Sequence, residues 1–82
     1  MMQSETAKIL SANLILTRLQ ERVSKPNARL LLDMAKIQCG FQGADESLEL
    51  EKENAKTLCL SMIKQGGPSF QVGQSIYKEY LM

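Results

Sequence analysis

From Pro26 to Cys39 the chain reads PNARLLLDMAKIQC. Wound as a helix at roughly 100° per residue, this stretch is apolar over most of its circumference. Leu30, Met34 and Ile37 share one side, with Leu31 and Ala35 beside them. Ala28, Leu32 and Cys39 continue round the back, and only Arg29, Asp33 and Lys36 form a polar strip. A helix this apolar has to be covered on several sides, which makes it the expected centre of a small helical domain. Asp33 is spaced to reach both Arg29 and Lys36. Those pairs are expected to be exposed and to contribute about a few tenths of a kcal/mol each.

The chain has 82 residues, enough for one domain spanning 1–82. A domain of this size hides only about 60–65% of the surface its unfolded chain exposes, so a lone monomer is marginal. Self-association is a common remedy. The formal net charge is +1, with both signs mixed along the chain. That leaves no strong field to draw in nucleic acid or acidic lipid.

The first helix is expected from Ser4, a good N-cap, to about Val23. Ile9, Ala12, Leu16, Leu19 and Val23 recur at spacings of three and four, a coiled-coil-like seam that Ile15 widens. Ala7, Leu10 and Leu14 lie on the opposite side of the same helix. That second apolar face is covered either by helices of this chain or by another chain. Ser24-Lys25-Pro26-Asn27 makes a tight corner, with Ser24 or Asn27 as the cap of the second helix. Gly40 suits its C-terminus because glycine accepts a positive φ.

Phe41, in the loop that follows, is expected to anchor onto the core. Asp45 or Ser47 is expected to cap a third helix, with Glu46, Glu49 and Glu51 in its first turns. Leu48, Ala55, Leu58, Cys59, Met62 and Ile63 make its buried side; Leu50 and Leu60 project off that stripe. Gly66-Gly67-Pro68 stops it, and Ser69 can cap a short last helix. There Phe70, Tyr77 and Leu81 share one side, while Val72, Ile76 and Tyr80 make a neighbouring one. Gly73, inside this helix, costs about 1 kcal/mol relative to alanine. A close helix crossing or end fraying would account for its presence.

Catalytic chemistry finds little footing. The chain has no histidine, which removes Ser-His and Cys-His pairs and imidazole metal sites. Cys39 and Cys59 are too few for a disulfide framework, lack zinc-ligand spacing, and read as reduced core thiols. No GxxxxGK[ST] or GxGxxG loop occurs, and the carboxylates are spaced onto exposed faces. No catalytic residue, cofactor or metal is therefore expected. The N-terminus has no signal-peptide pattern, and no apolar run nears the roughly 20 residues of a membrane span. A cytoplasmic protein with no membrane partner is the default.

These readings converge on an all-α bundle of four helices, near 5–23, 26–39, 46–65 and 69–81, packed around the second. The expected function is that of a non-enzymatic interaction module: a regulator, adaptor or chaperone docking an apolar helix face on a partner or on itself. Ala7, Leu10, Leu14, Phe70, Tyr77 and Tyr80 are the candidate interface, and a homodimer through the first helix is its simplest version. The alternative is a small DNA-binding regulator. MIKQGGPSFQVGQSIYKEYL loosely resembles the start of a helix-turn-helix unit, and Arg18, Arg22, Lys25 and Arg29 are the densest basic group.

Overall fold

The structure is a computed structural model that describes residues 10–41, 43 and 45–81. It is all-α, with helices α1 (Ala12–Gln20), α2 (Lys25–Cys39), α3 (Lys52–Gln65) and α4 (Gly67–Ile76). α4 runs on into a π-helical turn, Tyr77–Leu81. Among the described residues there is no β-strand, only one isolated bridge between Ser11 and Glu49. The helices pack against one another, most extensively α3 on α4; α2 lies on α1 and α3, and α1 also meets α4. Ile15 and Leu19 from α1, Leu32 from α2, Leu58, Cys59 and Met62 from α3, and Ile76 from α4 are fully buried at the centre. Phe41 packs against this core from its loop, as expected.

Local signals fix several ends. The Ser24 hydroxyl accepts from the Asn27 N–H at 3.4 Å, Pro26 occupies the first turn of α2, and Gly40 closes that helix at φ 78°. α1 begins later than expected. Its cap is Ser11, which accepts from the Leu14 N–H at 3.3 Å. The expected Ser4 cap lies outside the described residues, as do Ala7 and Ile9. α4 begins earlier, directly after Gly66 (φ 78°), so Ser69 sits inside its first turn rather than before it. Ser69 is buried, and its hydroxyl has no hydrogen-bond partner among the described residues.

The largest departure is the third helix, which starts at Lys52 instead of near residue 46. Residues 46–50 instead form a non-helical strap across the start of α1, a turn and bend followed by a single bridge residue, Glu49. The Glu46 carbonyl accepts from the Asn13 N–H at 3.0 Å, and the Leu50 N–H donates to the Leu10 carbonyl at 2.8 Å. Asp45 closes a local turn, accepting from both the N–H and the hydroxyl of Ser47. Leu48, expected on the buried side of a helix, is consequently exposed at the outer bend of the strap. Tertiary hydrogen bonds have overridden local helix propensity here.

Gly73 marks a close crossing of α4 on α3. A Cβ there would lie 3.0 Å from the Cys59 carbonyl oxygen and 3.1 Å from the Met62 Cβ. Of the two accounts of this glycine, the close approach of α4 to α3 is the one observed.

Candidate protein-docking surfaces

Two open apolar surfaces stand out once the bundle is assembled. The first is the outer side of α2. Ala28, Leu32 and Ala35 turn inward and are fully buried. Leu30, Met34 and Ile37, on the far side of the same helix, are 56%, 42% and 55% exposed. Their spacing of four and then three aligns them in a stripe about 10 Å long. Cover on several sides, these residues included, was the expectation for this helix. The short α1 and the strap leave nothing in the described chain to cover this one.

One edge of the stripe is braced by ions. Arg29 donates to Asp33 at 2.7 Å within the helix, and two of its nitrogens meet the two carboxylate oxygens of Glu46. The Lys36 ammonium donates to the same carboxylate at 2.6 Å. Lys36 is buried and pairs with Glu46, not with Asp33 as its spacing suggested. Hydrogen bonds from Arg29 hold the Glu46 carboxyl down at about 2, against the cost of desolvation and with help from Lys36. The same pairings raise the Arg29 pKa. Asp33, Lys36, Ile37 and Gly43 enclose a shallow notch of about 240 Å³ beside the stripe.

The second surface is a trough between α3 and α4. Leu60, Ile63, Gln74, Tyr77 and Lys78 line a depression of about 350 Å³. Leu60 is 48% exposed and forms its outer lip. Phe70 is 38% exposed and lies on the same side of α4 as Gln74 and Tyr77 by helical spacing. Beyond Leu60 a further groove, lined by Gln38, Cys39, Thr57, Ser61 and Lys64, separates α3 from α2.

The expected interface residues divide between several places. Leu10 is buried in the chain's own core, and Leu14 packs half-buried against it. For Leu10, the covering of the first helix's second face is intramolecular. Ala7 lies outside the described residues. Tyr80 lines a depression with Leu10, Leu50 and Leu81. Tyr77 lines the α3–α4 trough, and Phe70 lies on the same side of α4 by helical spacing. The α2 stripe was not among the expected sites, because an apolar residue reads alike in sequence whether a neighbour arrives or not.

The three arginines of the basic group are engaged within the chain. Arg18 pairs with Glu79 at 3.0 Å, which raises the arginine's pKa, and Arg22 donates to Gln71 at 2.6 Å. Arg29 is engaged with Asp33 and Glu46. Lys25 is exposed at the first turn of α2. Among the described residues no group of acidic and thiol side chains is arranged to hold a metal ion. The cysteines are free; burial pushes the Cys59 thiol up to about 11, which keeps it protonated. No described helix is long and apolar enough to cross a membrane. Comparison with protein-family models, curated proteins and solved structures finds no match for the chain.

Proposed function

We propose that this chain is a non-enzymatic interaction module that docks the outer face of α2 on another protein. The observation that carries the reading is the exposed stripe Leu30, Met34 and Ile37. These side chains contribute little to the chain's own core, yet they align on one rigid helix. Apolar residues at such spacing are the anchors of helix-face recognition. Each is about half-exposed, so covering it contributes on the order of 1 kcal/mol. The Arg29–Asp33–Glu46–Lys36 network stiffens one edge and lowers the ordering cost of docking. Regulators, adaptors and chaperones all act by occupying a surface in this way.

The test compares wild type with Leu30→Glu/Ile37→Glu, both exposed positions, and with Lys52→Glu as a surface control. A partner recovered from the native host is purified and titrated against all three. Affinity is expected to fall at least about tenfold for the α2 variant and to hold for the control. Equal affinity for all three rules out this face. Sedimentation of the same proteins separates the self-docking version: wild type then runs heavier than the α2 variant.

A further inference from the structure

We propose that the α3–α4 trough is a second docking site, and that its occupant is an acidic amphipathic helix of another protein. This inference goes beyond the α2 reading and stands on a separate surface, so either can fail alone. The floor and lip of the trough are apolar: Leu60, Ile63 and the Tyr77 ring. Its charged rim carries one sign. Lys78 lines the trough directly, and Lys64 follows Leu60 by one turn of α3 on the outer lip. Neither of these lysines makes an ion pair among the described residues, whose pairs all use Arg18, Arg29 or Lys36.

The nearby carboxylates do not cancel this rim. Glu79 is turned toward Arg18 of α1. Glu53 stands two turns before Leu60 on α3, beyond the residues that line the trough. An apolar channel between two helices, edged by unpaired ammonium groups, matches a helix with apolar anchors and Asp or Glu on its flanks. Phe70 extends the apolar side toward the α3–α4 turn, lengthening the track along α4. Nucleic acid is a poorer fit, since it draws affinity from many phosphate contacts and these lysines surround an apolar floor. An anionic membrane surface is a poorer fit too, since Ile63 and the Tyr77 ring lie half-buried in the trough.

A random peptide library is selected on wild-type protein and counter-selected on Leu60→Asp/Lys64→Glu/Lys78→Glu, all exposed positions whose helical fold is checked by circular dichroism. Enriched peptides are expected to be acidic, with apolar residues at helical spacing. The best of them, labelled and followed by anisotropy, is expected to lose about tenfold or more in affinity on Lys64→Glu/Lys78→Glu and to weaken with added salt. Leu30→Glu/Ile37→Glu is expected to leave its binding unchanged. Enrichment of neutral or basic peptides, or no enrichment, overturns the proposal. So does affinity indifferent to the lysine reversals. Phosphatidylserine vesicles that bind wild type and displace the peptide would assign the trough to lipid instead.

Discussion

Arg29 grips both carboxylate oxygens of Glu46, a residue 17 positions further along the chain. Lys36 closes on the same group, so one carboxylate ties the strap to two points on α2. The folded-state pKa of Glu46, about 2, lies below its ordinary value of 4.5. The folded chain therefore takes up this proton less readily than the unfolded chain does. The stabilisation is complete above about pH 4.5 and is lost as pH falls toward 2. Allowing for the partly exposed Arg29, it is worth about 1–2 kcal/mol. Urea denaturation is expected to show Glu46→Gln less stable than wild type at pH 7, with the difference narrowing toward pH 2. A constant difference across that range would mean that the ion pairs do not stabilise the fold.

Gly73→Ala pits two effects against each other. Alanine is the better helix former by about 1 kcal/mol. Its methyl group, however, would press on the Cys59 carbonyl and the Met62 side chain. Overpacking of this kind costs about 1–3 kcal/mol, and backbone carbonyls yield least. A net loss of stability is expected on chemical denaturation, and a net gain would show that the crossing opens freely.

The two sides of α2 are expected to respond very differently to truncation. Leu32→Ala removes a fully buried side chain and should cost about 2–5 kcal/mol. Leu30→Ala and Ile37→Ala should each stay within about 1 kcal/mol of wild type, since much of each side chain already meets water. Thermal melts of the three variants check this. A large loss from either outer position would mean that the stripe is covered in the isolated protein.

The cysteines are expected to separate by thiol chemistry. Cys59 is fully buried, and its raised pKa leaves almost no thiolate at neutral pH. Cys39 is partly exposed, its Sγ 3.6 Å from the Thr57 carbonyl. A disulfide reagent should modify Cys39 in the native protein and reach Cys59 only on unfolding. Mass spectrometry of the labelled peptides, with and without guanidinium, tests the order.

Periodicity and caps carried much of this architecture. The α2 boundaries followed from Ser24, Pro26 and Gly40, and the α3–α4 break followed from Gly66, Gly67 and Pro68. Helix type was readable because those signals act within one or two turns. The failures share a physical cause, which is that their determinants lie far apart in the chain. The stretch from Glu46 to Glu51 reads as the opening of a helix, but Glu46 is claimed by α2 and by Asn13, and Leu50 by Leu10. Lys36 looked like a surface charge until a distant carboxylate reached it. The same gap hid the α2 stripe: periodicity finds both apolar faces of a helix and says nothing of which one a neighbour will cover.

The strap also bears on when α1 becomes a helix at all. Nine residues are too short to hold helical structure alone in water. One of the unpaired amides at its start, Asn13, is served by a carbonyl from residue 46. The Asn13 amide therefore gains its partner only once the strap, which follows it in the chain, has folded back, whereas the Ser11 cap on Leu14 is local. α1 is therefore a helix whose formation waits on tertiary contact rather than preceding it.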